Sequence, residues 1–438
     1  MEREPTSLAA ACCTGTVVRV TDRAERLSTL DARLVSIAKK VRLLGSLTWP
    51  SSVLDGFLDG WRRGSPTLPE PPKEEARHED DLRAFAELRR DIDQHDPVGR
   101  FLDDTAGSYA LAARMLDVRG SGEFLEIGRV LYGMPSDPIP GSKLTHLDAA
   151  EQLLHATSSL KDAGVRSEPD FVISSEGARA EMQVALDAFF GEDVVRAVID
   201  PDLGSKAAAG SKNVRLRGRT GFSEMEIAQL LEHEAFVHAA TALNGKQQPV
   251  LTSMALAAPR STLTQEGLAT LAELVTRTID ITRLRRIALR IKAIAMALEG
   301  ADFVDVFRFF LDEGQSEDDS VRSAMRVFRG GDPRGKYVFT KDVVYVQGLV
   351  AVHTFLRKAI ASHRPVLIER MFAGRIHLSD VLMLEAEFES GLIAPPKYLP
   401  RWARDVPTLA AYLAFAAVAY RIDVGTLELD AILPAVDL

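Results

Sequence analysis

Cysteine is all but missing from these 438 residues: there are two, Cys12 and Cys13, side by side near the N-terminus. Adjacent cysteines rarely pair with each other, so no disulfide framework is expected, and a reducing compartment, the cytoplasm, is the natural setting. The same scarcity leaves any bound metal to His, Asp or Glu. An excess of positive charge is missing too. The 53 Lys and Arg face 62 Asp and Glu, a formal net charge of −9, which argues against a general nucleic-acid binder with its basic face. No basic start runs into an apolar stretch, and no uninterrupted apolar run reaches about 20 residues, so neither a signal peptide nor a membrane span is expected. Core material is plentiful: 46% of residues are hydrophobic and 26% charged, as in a soluble protein of two or three domains.

Along the chain, Leu30, Leu34, Ile37, Val41 and Leu44 recur at helical spacing. A loose tail is expected at 1–24 and a helical region at 25–165, interrupted by the proline-rich stretch 65–75. A core follows at 166–300, and a second helical region at 301–438 completes the cleft. In the core, short apolar runs at 171–173, 194–199 and 214–216 predict strands. Residues 178–190 predict a helix ending at Gly191, and Ser223 followed by Glu226 has the spacing of a capping box that opens a helix to about 243. A single long helix is expected from 265 to 298. The fold class is α+β, mainly α-helical, without internal repeats.

The segment LLEHEAFVHAATALNG places His233 and His238 five residues apart, with Glu234 beside the first. Two neutral imidazoles bind a metal without cancelling its charge, a third ligand completes the anchor, and a free carboxylate takes a proton from attacking water. Histidines four apart in an α-helix are roughly 40° from alignment, whereas five apart they are about 140° out of phase. One ion can take both only if the helix carries an extra residue in a turn, a π-bulge. Spacing alone leaves two readings open: a metal site, or two helix histidines, one buried and hydrogen-bonded, with Glu234 solvated. Glu266 follows 28 residues after His238. The small residues Gly267 and Ala269 behind it permit a close helix approach that would carry Glu266 to a metal; otherwise it is a first-turn Glu favoured by the helix dipole.

The run HEAFVHAATALNGKQQP followed by TQEGLA resembles the QEGLA-motif family of hydrolases. That family includes bacterial proteins labelled flavohaemoglobin-expression-modulating and the animal microtubule-associated tyrosine carboxypeptidases. LYGMPSDP, VRLRGRTGFSEMEIAQLLEHE and FRGGDPRGKYVFTKDVVYVQGL fit as well, so the likeness runs from about residue 25 onward. The resemblance implies His233, His238 and Glu266 as ligands of one Zn²⁺ per chain, Glu234 as general base, and a zincin-like core of a short mixed sheet beside the metal-binding helix. It also implies a metallocarboxypeptidase that removes a C-terminal, possibly aromatic residue from a peptide or protein. The alternative is a regulatory metal-binding protein that acts through protein partners without turnover. Glu234, which structural zinc does not need, and the finding of only three ligands favour the enzyme.

Other residues carry two readings each. Tyr345 is either a hydrogen-bond donor to a developing oxyanion or a tyrosine packed among its neighbours. Lys341 and Arg329 either hold a substrate carboxylate or are surface charges. Asn244 orients a ligand or caps its helix. The strand near 213–217 is a candidate to pair with an extended substrate. GDPRGK at 331–336 lacks the spacing and the Ser or Thr of a phosphate loop. The basic helix at 283–298 is expected to present a solvated cationic face, and His353, His363 and His377 share no ligand spacing.

Overall fold

The computed structural model describes residues 13–71, 77–158, 172–201 and 203–419; Cys12 and the start of the apolar run at 171 lie outside them. Helices dominate, as the periodicity predicts. The N-terminal part runs from α1 (Cys13–Ala38) to α7 (His146–Ala156). On α1 the side chains of Leu27, Leu30, Leu34 and Ala38 are buried at three- and four-residue spacing. Asp31 on the same helix is 1% exposed and accepts from Thr252 Oγ1 at 2.7 Å and from the Ser253 amide at 3.0 Å. That pairing ties α1 to the segment that follows the helix bearing His233 and His238.

The strands are short. Ile173–Ser174 (β1) pairs antiparallel with Gly221–Phe222 (β5). Arg196–Asp200 (β2), Ala207–Ala209 (β3) and Asn213–Arg217 (β4) form a mixed sheet in the order β2-β4-β3, with β4 parallel to β2 and antiparallel to β3. Along β4, Val214 and Leu216 turn inward. They share a core with Ala178, Met182 and Leu186 of α8 (Ser175–Phe190) and with Ala235 and Ala239 of the following helix. Alternate residues of a strand face opposite ways, so one face is apolar and the other wet. Strand β3 carries no sequence signal, being three alanines, and adopts extended form because pairing with β4 overrides local preference. Strand β4 is central, both of its edges are taken, and the substrate-pairing role expected of 213–217 is closed to it.

The capping box opens the next helix as its spacing predicts: Ser223 Oγ accepts from the Glu226 amide at 3.0 Å, and Glu226 Oε2 accepts from the Ser223 amide at 3.1 Å. The helix runs as α9 (Glu224–Leu230), a π-helical stretch (Leu231–Ala239) and α10 (Ala240–Lys246) without interruption. It continues past Asn244, whose side chain neither caps the helix nor touches a ligand. Its Nδ2 donates to the carbonyls of Phe372 and Tyr398, and its Oδ1 accepts from the Tyr398 amide.

The expected single helix at 265–298 is two, α11 (Thr262–Val275) and α12 (Ile281–Glu299). Arg277 sits at φ +58° in the break, the Glu273 carbonyl accepts from the Thr278 amide at 2.8 Å, and Asp280 caps α12 by accepting from the Arg283 amide at 2.6 Å. In one straight helix, ten residues would separate positions 273 and 283 by about 15 Å. The break instead lets their side chains meet. The basic face of α12 accordingly points inward: Arg283 pairs with Glu273, Arg285 with Glu313, and Arg290 is 9% exposed. After α13 (Phe303–Asp312) and α14 (Glu317–Phe328), α15 (Val344–Ala361) lies against α11. Their axes come close because glycine meets glycine: a Cβ on Gly267 would lie 2.3 Å from the Gly348 carbonyl oxygen. The small residue after Glu266 does permit a close approach, but to the helix that carries Tyr345. The stretch Lys341–Ala361 has the length and apolarity of a bilayer span; here it is a core helix with Val344, Val346, Val352 and Leu356 buried.

Candidate metal centre

The π-helical stretch resolves the awkward spacing of the histidines. A π-turn holds one residue more than an α-turn, so positions five apart return to the same face. His233 and His238 point together, their ring centroids 4.8 Å apart and their planes at 86°. Glu266 on α11 reaches between them: its Oε2 lies 3.5 Å from His233 Nε2 and 3.7 Å from His238 Nε2. A four-coordinate ion with bonds of about 2.0–2.1 Å sets its donors roughly 3.3 Å apart. The three ligand atoms all lie within 4.8 Å of one another, and Oε2 is buried without a hydrogen-bond donor. An orphaned carboxylate oxygen facing two imidazole nitrogens is what a divalent metal would satisfy, so the residues fit one.

Two of the three donor residues are held from behind. His233 Nδ1 meets Glu273 Oε1 at 2.6 Å. That carboxylate is fully buried and also accepts from Gln229 Nε2 at 2.9 Å and from Arg283 at 3.1 and 3.2 Å. With Nδ1 engaged in this way, His233 turns the lone pair of Nε2 toward the centre. Burial alone would depress His233, but the neighbouring carboxylates of Glu266 and Glu273 outweigh it and raise the ring to about 10. The same anionic field favours a divalent cation. Burial pushes Glu273 up, and Arg283 and His233 bring it down to about 2. On the other side, Lys341 Nζ donates to Glu266 Oε1 at 2.9 Å. Against the cost of burial, the Lys341 charge holds Glu266 well below the usual carboxylate range. Lys341 thus occupies one oxygen of Glu266 and leaves the other for the cradle.

Glu234 lines the same cavity outside the three grouped donors and accepts at Oε2 from the Ala209 amide at 2.9 Å. Residues 207 and 209 present their backbone groups on the side of β3 away from β4, because the ladder bonds on either side run from the Arg217 amide to the Lys206 carbonyl and from the Gly210 amide to the Asn213 carbonyl. The Ala209 carbonyl on that side accepts from Arg375 Nη2 at 3.4 Å, and the same nitrogen donates to the His238 carbonyl at 3.1 Å. The outward edge of β3 at Ala209 is therefore spent on positioning Glu234 and the end of the π-helical stretch.

A cavity of about 800 Å³ opens over this centre, its wall including His233, Glu234, His238, Glu266, Tyr345 and Arg329. Tyr345 is 7% exposed and its ring lies 5.2 Å from Lys341 Nζ. Lys341 and Arg329, open to a surface-charge reading in the sequence, are 5% and 6% exposed and belong to the interior. Glu273, Arg283, Arg375 and the Ala209 amide carry no motif. One signal did exist for Glu273: it follows Glu266 by seven residues, two turns along the same helical face. Replacing Glu273 with Gln is expected to weaken metal binding by about 10–100-fold while preserving the fold, as measured by competition with a chromogenic chelator. Unchanged affinity would leave Glu273 a packing residue.

A solved structure of a protein from Colwellia psychrerythraea assigned as a lipoprotein aligns over 84% of this chain and 76% of its own, at 15% identity and a TM-score of 0.44. No curated protein matches the sequence. The family model for microtubule-associated tyrosine carboxypeptidase matches residues 57–421, a stretch that holds His233, Glu234, His238 and Glu266 together with the groups that position them. The chain belongs to the microtubule-associated tyrosine carboxypeptidase family.

Proposed function

We propose that this protein is a zinc-dependent peptidase that removes a C-terminal residue from a peptide or protein, built on a zincin-like core of the β2-β4-β3 sheet and the π-bulged helix. The observation that carries this reading is the orphaned Oε2 of Glu266 facing two imidazole nitrogens, with Glu234 beside them and outside the ligand set. The family name supports the carboxypeptidase activity, and two His with one carboxylate is the donor set of hydrolytic zinc. His233, His238 and Glu266 would hold the zinc, which would supply a Lewis acid for the scissile carbonyl and a lowered pKa for water.

The chain's own groups then divide the work. Glu234, steadied by the Ala209 amide, keeps its Oε1 to take the proton from the attacking water and pass it to the leaving amine. Tyr345 donates a hydrogen bond to the oxygen that gains charge. Leu43, Tyr109, Ala112 and Tyr132 give the cavity an apolar wall suited to an aromatic terminal side chain.

The test is mass spectrometry of a peptide panel ending in aromatic, aliphatic or basic residues, incubated with zinc-loaded protein. Loss of one terminal residue is expected, aromatic ends first, abolished by chelation and restored by zinc. Zinc-loaded protein that leaves every peptide intact overturns the reading and favours a regulatory metal protein.

A further inference from the structure

Among the described residues, the buried and half-buried cations that line or back the cavity are paired with one exception, whereas Lys39 and Arg42 are exposed. Lys341 is held by Glu266 at 2.9 Å. Arg326 makes two 2.7 Å bonds to Asp342, and Arg290 lies 3.6 Å from the same carboxylate. Arg322 is bonded to Asp318, and Arg375 to backbone carbonyls. Arg329 differs. It is 6% exposed, yet among the described residues its guanidinium has no hydrogen-bond acceptor; Nε is buried without a partner, and the group rests over the Phe339 ring at 5.3 Å.

A buried guanidinium brings five N–H donors that want acceptors, and leaving it unpaired is costly. Arg326 nearby repels it, and burial together with that like charge pushes Arg329 down to about 10. A structure that only needed to fill this space would place an apolar side chain here. Arg329 also lies close to the reaction centre. It lines the same cavity as His233, Glu234, His238, Glu266 and Tyr345; Tyr345 packs on Lys341 at 5.2 Å, and Lys341 holds Glu266.

We propose that Arg329 is the anchor for the free α-carboxylate of the substrate, whereas Lys341, the other candidate, belongs to the metal cradle. This rests on the peptidase reading and adds to it the residue that decides between a free C-terminus and an internal or amidated one. A carboxylate matches the guanidinium fork and can take two parallel hydrogen bonds. It arrives with the substrate, which explains why the protein itself offers no acceptor.

The experiment uses zinc-loaded Glu234→Gln protein, in which binding is measured without turnover. Isothermal titration compares a peptide with a free C-terminal carboxylate against the same peptide as its amide. The acid is expected to bind about ten- to a hundred-fold more tightly. Arg329→Met should erase that preference at unchanged zinc content. Arg329→Lys, which keeps the charge and loses the fork, should retain part of it and guards against a folding defect in the Met variant. A preference for the acid that survives in both variants places the carboxylate elsewhere, and equal binding of acid and amide before Arg329 is changed removes the anchor altogether. Either result overturns the proposal while trimming by the unaltered enzyme keeps the peptidase reading intact. No trimming together with no peptide binding overturns both.

Discussion

Glu234→Gln is expected to keep its metal at the level of the unaltered protein and to lose turnover by roughly 10²–10⁴-fold. The substitution is nearly isosteric, and a glutamine oxygen still accepts from the Ala209 amide that holds Glu234 at 2.9 Å, so the side chain keeps its place against β3. What disappears is the capacity to accept a proton. The three ligand atoms belong to His233, His238 and Glu266, and none is touched by the change. The measurement pairs elemental analysis with kcat and KM on a peptide that the unaltered enzyme trims. A fall confined to kcat identifies a group that acts in the transition state. Normal turnover by a sequence-verified variant removes Glu234 from the mechanism, and a variant that has lost its metal shows that Glu234 holds the ion.

His238→Ala is expected to bring zinc from about one per chain to a small fraction, because three protein ligands leave no spare donor. The histidine side chain is 14% exposed and among the described residues has no carboxylate behind it, whereas His233 is backed by Glu273. Its removal should therefore spare the apo fold. Thermal unfolding separates the two effects. A ligand that binds only the folded state stabilises it by about 2.7 kcal/mol at a hundred times its dissociation constant. Added zinc should raise the melting temperature of the unaltered protein and leave that of His238→Ala in place. Near-stoichiometric zinc in the variant would falsify the three-ligand centre. A variant unfolded without zinc would show that the histidine pair supports the helix itself.

Much of this centre is legible in one dimension. His233, Glu234, His238 and Glu266 stand out by residue type, and the five-residue spacing of the histidines already demands an extra residue in a helical turn, which Leu231–Ala239 provides. The Ser223–Glu226 capping box and the helix ending at Gly191 are equally local. The break between α11 and α12 was not legible, because Thr276 to Asp280 contains no glycine or proline to announce it. Strand β3 was not legible either. Three alanines prefer a helix, and only β4 at the next position makes them a strand.

The sequence by itself determined the chemistry on offer: which donors are present, their periodicity along two helices, and the carboxylate beside them that is proposed as the base. Helical geometry and ligand chemistry are short-range, so spacing carries them. The tertiary structure alone decided what stands behind each donor. Glu273 lies 40 residues from the histidine it orients, and Lys341 lies 75 residues from the glutamate it pins. Whether a lysine or arginine is a solvated charge or part of a buried pair depends on what packing brings to its tip. For Lys341 that is Glu266, for Arg283 it is Glu273, and for Arg329 the protein brings no acceptor among the described residues. A long flexible side chain reveals nothing of its partner in the sequence, because the low dielectric and the partner are both products of the fold.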